Sequence, residues 1–195
     1  MSLEVDIRKL RVFNEMARRG GNTVAQNLST MTGLDTAVEI TKINFLRKDD
    51  VDAHIGHDQQ IGVTIDLLDA PHGSLVFLFS HDSAKELAGS MMGGASEGPL
   101  TDMEKSAVQE IGNIMSSAFI DGWAEVFSTT IDISTPNFRF DAGPNIIKDA
   151  VAGHEYDMVM LFDSHVSVPD SDVTMTIYMF PDLEELVDLM QRLQV

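Results

Sequence analysis

The stretch "VEITKINF" at residues 38–45 has a near-copy in the second half of the chain, "IDISTPNF" at residues 131–138. Seven of the eight pairings are identical or chemically close when Lys42/Thr135 is allowed, and Ile43/Pro136 is the one real departure. The first copy alternates like a strand, within "TAVEITKINFL" (36–46). Working outward, each copy is surrounded by the same order of elements. Before the first, Val5, Leu10, Phe13, Met16, Val24, Leu28 and Met31 recur at helical spacing up to Gly33, with "RGGN" (19–22) a weak point in the middle. After it come a polar loop (47–60), strand-like "IGVTIDLL" (61–68) and "GSLVFLFS" (73–80) around the turn "DAPHG", and a short helix over 82–92 closed by Gly93 and Gly94.

Beyond the linker "ASEGP" (95–99) the order recurs. A helix is predicted over about 101–127, opening with Thr101 and Glu104 in capping-box spacing. A strand follows over 129–140, then an irregular Gly- and Pro-containing segment over 141–154, strands over 156–163 and 172–180, and a final helix over 182–193. The late helices also agree, "AKELAGSMM" with "LEELVDLMQ". The chain therefore reads as an internal duplication of a helix–three strands–helix unit about 95 residues long, with repeats at about 1–94 and 100–195. Either unit alone would have a thin core, so the reading is one domain in which both repeats share a sheet. The expected fold class is α+β with pseudo-twofold symmetry, the long helices packed on the shared sheet.

Composition narrows the function. Of 195 residues, 31 are acidic and 13 basic, a net charge of −18, and eight of the 13 basic residues precede residue 49. That balance repels phosphate backbones and argues against nucleic-acid binding. With 44% hydrophobic residues the chain has enough apolar content to fold. Its acidity fits a halophilic cytosol, where salt screens self-repulsion. The chain lacks cysteine, so there is no disulfide framework and no thiolate nucleophile or metal ligand. "MSLEVDIRKL" has no apolar signal-peptide core, and the longest apolar run, "LVFLF" (75–79), is too short to span a bilayer. The expectation is a cytoplasmic protein that engages no membrane.

On the helix over 101–127, Leu100, Met103, Ala107, Ile111, Ile114 and Ala118 read as the buried stripe. Ser106, Glu110, Asn113 and Ser117 recur at three- and four-residue steps on another side. That polar ridge is either an ordinary solvated face or a site. Its side chains are short and mixed rather than long and charged, and Gly112 beside it would let another backbone or a partner approach closely.

Ser106, Glu110, Asn113 and Pro136, in that spacing and with "QEIGNIMSSAF" (109–119), resemble the signature of the CheC/CheX/FliY phosphatases of bacterial and archaeal chemotaxis. The resemblance covers essentially the whole chain, because that family is built from the same duplicated unit. It implies removal of the phosphoryl group from the aspartyl phosphate of a chemotaxis response regulator (CheY). Asn113 would orient the attacking water, and Glu110 would pair with a lysine of the regulator. Ser106, Gly112 and Pro136 would support or contact the partner. The resemblance implies no cofactor of the chain's own; Mg²⁺ belongs to the regulator. It leaves open a non-catalytic adaptor that binds the regulator or a CheD-type deamidase, and a flagellar-switch role as in FliY.

The first repeat departs from this pattern. Glu15 aligns with Glu110, but Arg18 stands opposite Asn113, Arg11 opposite Ser106 and Ile43 opposite Pro136. A guanidinium has no acceptor with which to hold a water, so Glu15 and Arg18 read as a degenerate site. The basic cluster Arg8, Arg11, Arg18 and Arg19 would either contact an acidic partner or relieve charge repulsion. "HIGH" (54–57) lacks the strand–helix nucleotide fold that would give it meaning, and His54 and His57 read as a solvated loop rather than metal ligands. The Asn27 sequon lies within a helix and reads as meaningless there.

Overall fold

Strand β3 (Gly73–Phe79) is buried along its whole length, and its residues divide between two cores. Leu75, Phe77 and Phe79 enter one cluster, Val76 and Leu78 the other. This is the period-2 alternation of a strand covered on both faces. The computed structural model describes residues 10–33, 35–152, 158–168 and 171–193. Around β3 it builds one antiparallel sheet from β1 (Ala37–Arg47), β2 (Gln59–Leu67), β4 (Asn137–Ala142), β5 (Met158–Val168) and β6 (Ser171–Pro181). The spatial order is β1-β5-β6-β3-β2-β4. Exchanging β1 with β4, β2 with β5 and β3 with β6 turns this order into its own reverse, which places a pseudo-twofold axis between β3 and β6.

The larger core lies under α1 (Leu10–Thr32), α3 (His81–Met92), α4 (Asp102–Phe127) and α6 (Leu183–Arg192). The fold is thus α+β, with both long helices on the sheet. "RGGN" does not break α1; it marks where the two long helices meet. A Cβ on Gly20 would lie 2.8 Å from the Phe119 ring, and one on Gly122 would lie 2.5 Å from the Gly20 nitrogen. The glycines let the backbones approach closely, which outweighs their cost in helix propensity.

The opposite face is covered by two elements that the sequence reading leaves as loop. α2 (Val51–Ile55) buries Val51 and Ile55, and α5 (Gly143–Ala150) buries Ile146 and Ile147. The 141–154 segment is therefore not irregular throughout. Pro144 sits in the first turn of α5, where its missing N–H costs nothing.

The strand expected over 129–140 is shorter than its counterpart. Only Asn137–Ala142 pairs continuously with β2; upstream there is an isolated bridge, Leu67 to Ile133. Between that bridge and the Thr64–Asn137 pair, β2 advances three residues and the facing chain four. The extra residue is a bulge, and Pro136, which has no N–H to give a ladder, sits in it. On α4, Met103 is a correction: it is 69% exposed rather than part of the stripe, which runs instead through Val108, Ile111, Met115 and Phe119. Of the first helix as read from the sequence, residues 5–9 lie outside the described residues, as do 156–157 of the strand read over 156–163.

Candidate functional site

α4 starts where its cap dictates. Thr101 Oγ1 accepts from the Glu104 amide at 3.2 Å, and Glu104 Oε2 accepts from the Thr101 amide at 2.7 Å. Glu104 also accepts from the Ser96 amide at 2.9 Å, so one buried carboxylate ties the linker to the helix start. The Thr101 and Ser96 amides hold its carboxyl down to about 2, from an ordinary 4.5. Lys85 Nζ lies 3.8 Å from Glu104 Oε1 and donates to the Ser96 carbonyl. The helix bearing the polar ridge is thereby fixed at its first turn.

Along that ridge Ser106 and Glu110 are exposed, and Asn113 and Ser117 are half-buried. The Ser106 hydroxyl donates to the Asp102 carbonyl at 3.0 Å, bonding back onto its own helix one turn earlier. Neither the Glu110 carboxylate nor the Asn113 amide has a hydrogen-bond or ion-pair partner among the described residues. Both are presented unsatisfied by the protein, one turn apart on a rigid helix.

Gly112 faces the other way. It is buried, and a Cβ there would lie 2.4 Å from Val63 Cγ1 on β2. The expectation that it lets a partner sit flush is corrected: Gly112 lets α4 sit flush on its own sheet. Pro136 is buried, and its carbonyl accepts from Gln109 Nε2 at 2.9 Å. Gln109 precedes Glu110 and lies one turn before Asn113. It brings the bulge beside the ridge, and sequence reasoning missed it. The one signal was an amide adjoining the Glu-x-x-Asn pair.

The first repeat is built differently. Glu15 accepts from Arg18 Nη2 at 2.8 Å and from Arg19 Nε at 2.6 Å, and Arg19 Nη1 reaches Glu125 on α4 at 2.7 Å. Hydrogen bonds from Arg18 and then Arg19 hold the Glu15 carboxyl down to about 2. Beside this chain of ion pairs, α1 and β1 leave a groove of about 340 Å³ lined by Asn14, Arg18, Asn22, Lys42 and Ile43, among others. Thus Arg18 and Ile43, the counterparts of Asn113 and Pro136, do share one cleft. At the matching place in the second repeat, Gln109 bonds across to the Pro136 carbonyl.

Among the described residues no group of three or more His, Cys, Asp or Glu could hold a metal ion, and none of their helices is long and apolar enough to cross a membrane. His54 packs its ring edge-on to Tyr178, with centroids 6.5 Å apart.

Comparison with known proteins places this geometry in a setting. Residues 103–139, which hold the ridge and Pro136, match the CheC-like family. A protein of Halobacterium salinarum named "Putative CheY-P phosphatase CheC1" is 46% identical over 191 residues, covering 97% of this chain and 98% of the relative. The crystal structure of Thermotoga maritima FliY superposes with a TM-score of 0.82 at 18% identity, covering 98% of this chain and 100% of that one. The middle domain of FliM from H. pylori gives a TM-score of 0.71 at 10% identity, covering 97% and 100%. At those identities the two structures speak for the fold.

Proposed function

This chain belongs to the CheC-like family, and we propose that it hydrolyses the aspartyl phosphate of a chemotaxis response regulator (CheY), using the face of α4 that carries Glu110 and Asn113. The observation that carries the proposal is the pair itself. A carboxylate and an amide stand one turn apart on a capped, sheet-seated helix, and neither has a hydrogen-bond or ion-pair partner among the described residues.

The chemistry asks little of the enzyme beyond placement. An acyl phosphate is already activated, and the regulator carries the Mg²⁺ that neutralises charge on the phosphoryl oxygens, as part of the substrate. A water must lie in line with the bond between phosphorus and the aspartate oxygen. It attacks phosphorus, that bond breaks, and the aspartate carboxylate leaves with the bonding pair as inorganic phosphate forms. In phosphoryl transfer, positioning supplies much of the rate. The Asn113 amide can donate to and accept from a water without bringing negative charge to a phosphate. Glu110 supplies the anchor: an unpaired, exposed carboxylate suited to a lysine of the regulator. In this reading the first repeat does no chemistry, since its carboxylate is consumed by Arg18 and Arg19.

The test is release of inorganic phosphate from the phosphorylated regulator with and without this protein. Accelerated release that saturates with regulator concentration is the expected result. Binding without acceleration would make the chain an adaptor and overturn the proposal.

A further inference from the structure

The hydrogen bond from Gln109 Nε2 to the Pro136 carbonyl joins α4 to the chain just before β4, 27 residues further on. Pro136 lies in the bulge, where the ladder to β2 lapses. Upstream, the Ser134 amide bonds to the Asp66 carbonyl at 2.9 Å; downstream, pairing resumes at Asn137 with Thr64. Between those points the proline has no N–H, so its position relative to α4 depends on what its carbonyl finds. It finds Gln109, half-buried, next to Glu110 and one turn from Asn113.

The first repeat gives the contrast. Its residue matching Gln109 is Asn14, an amide one methylene shorter. Asn14 is exposed and lines the open groove of about 340 Å³ rather than closing it. The repeat that lacks the Glu-x-x-Asn pair thus also lacks the clamp.

We propose that Gln109 is a positioning residue: its side-chain amide fixes the Pro136 bulge at a set separation from the Asn113 edge of α4, and so sets the rim that receives the phosphorylated loop of the regulator. The inference rests on the phosphatase reading above. Gln109 touches neither water nor phosphorus. It acts through Pro136, so its loss weakens capture of the regulator and leaves the hydrolytic step itself intact.

Three variants separate the donor from bulk. Gln109→Met keeps the length and removes the donor. Gln109→Asn keeps the amide but falls short, as Asn14 does. Gln109→His restores a donor at Nε2 with similar reach. In phosphate-release kinetics, Met and Asn are expected to raise KM about tenfold with kcat within about twofold, and His to return KM to within about threefold of wild type. Titration with the regulator carrying beryllofluoride on its aspartate should give the same order in Kd. A merely structural contact would lower Tm and leave the KM-to-kcat split unmoved well below the transition. Wild-type kinetics for Met, a fall in kcat instead of a rise in KM, or equal damage from all three variants would each overturn this inference alone. A wild-type protein that neither binds the beryllofluoride-loaded regulator nor releases phosphate would overturn the phosphatase reading and this inference with it.

Discussion

Glu110 and Glu15 occupy matching places on two related helices, yet one carboxylate is free and the other is held by two arginines. Around Glu110 the helix is seated by Gly112 on Val63 and the neighbouring bulge is fixed by Gln109. Around Glu15 the matching positions carry Ala17 and Asn14, the groove stands open, and Arg19 runs on to Glu125 of the other long helix. The same scaffold therefore serves two ends. One copy spends its polar residues on holding the helices together; in the other, Glu110 and Asn113 have no partner among the described residues. Duplication makes this possible, because the sheet and both cores are shared and one ridge can be given up to structure without unfolding the other.

The difference is broken most sharply at Asn113. Asn113→Ala should lower phosphate release by about 100-fold or more, down to the regulator's own rate, since misplacing a reacting group costs about that much. Regulator binding should change little. Arg18→Ala, at the matching place, should leave release within about twofold. If Arg18→Ala silenced the protein, the two helices would share one site and the contrast would be false.

Next in size is the anchor. Glu110→Lys should weaken regulator binding about tenfold or more, roughly 1.4 kcal/mol, by setting like charges against each other. Glu15→Lys should leave that affinity unchanged, because Glu15 is already committed inside the protein. Equal losses in the two titrations would remove the lysine partner from the proposal.

Much of this contrast was legible in the sequence, and the rest was hidden for definable reasons. The repeated strand and the apolar periods located six strands and both long helices, and Ser106, Glu110 and Asn113 fell on one surface as their spacing required. The halophilic setting that the acidity suggests agrees with the organism of the 46% identical relative, Halobacterium salinarum. α5 was missed because Gly143-Pro144 reads as a breaker, although proline in a first turn opens a helix. Gly112 reads from the sequence as a point of close approach by another backbone or a partner, because period alone does not say what lies under a helix; packing reveals Val63. Gln109 carried only the weak signal of an amide adjoining the Glu-x-x-Asn pair, since its partner is 27 residues away and is a backbone carbonyl, which no side chain announces. Arg18 and Arg19 stood three and four residues after Glu15, a spacing that itself signals ion pairs.

Gly112 offers a stability version of the comparison. Gly112→Ala should gain helix propensity yet lose stability, because the new methyl would meet the stiff, fully buried Val63. Overpacking of this kind costs about 1–3 kcal/mol, or some 2–12 °C in Tm for a chain of this size. Val63→Ala should relieve most of the added loss in the double variant. Ala17→Gly on α1 should cost the propensity term, about 1 kcal/mol, together with the loss of one methyl from the core. A stable Gly112→Ala protein would mean that α4 is not pinned to the sheet where the site is borne.

Acid separates the two helices in another way. Glu104 and Glu15 are both held at about 2, against an ordinary 4.5. A depressed carboxyl stabilises the fold above the unfolded value, and that contribution is lost as pH falls from about 4.5 toward 2. Their partners differ. Glu104 is buried and bonded chiefly to backbone amides, whereas Glu15 is solvated and paired with guanidinium groups. Tm measured across that window should therefore drop less steeply in Glu104→Gln at any salt. In Glu15→Gln the flattening should be slight at 0.1 M salt and absent at 1 M, where screening shortens to about 3 Å. A salt-dependent effect at Glu104 would contradict the buried cap.

The smallest expected signal is also the most demanding, because it asks whether the first repeat can be turned into the second. In an Asn113→Ala background, Arg18→Asn rebuilds Glu-x-x-Asn on α1. The restored phosphate release should be only a few per cent of wild type, for three reasons present in the structure. Arg19 still holds Glu15 through the bond at 2.6 Å, so the carboxylate is not free to anchor a regulator. Ile43 stands where Pro136 does, but past the register shift between Ile40 and Lys42 it stays in the ladder, paired with Phe162 of β5. Asn14 lines the groove, whereas Gln109 bonds across to the Pro136 carbonyl. Adding Arg19→Ala frees Glu15 and should raise the restored rate severalfold; adding Asn14→Gln should raise it further only if Ile43→Pro accompanies it, since the glutamine needs a carbonyl brought within reach. Rates that climb in that order would mean that the pair, its freedom from ion pairs and the clamp are separable requirements. Full recovery from Arg18→Asn alone would show the pair to be sufficient, and the contrast between the two grooves would then have no bearing on catalysis.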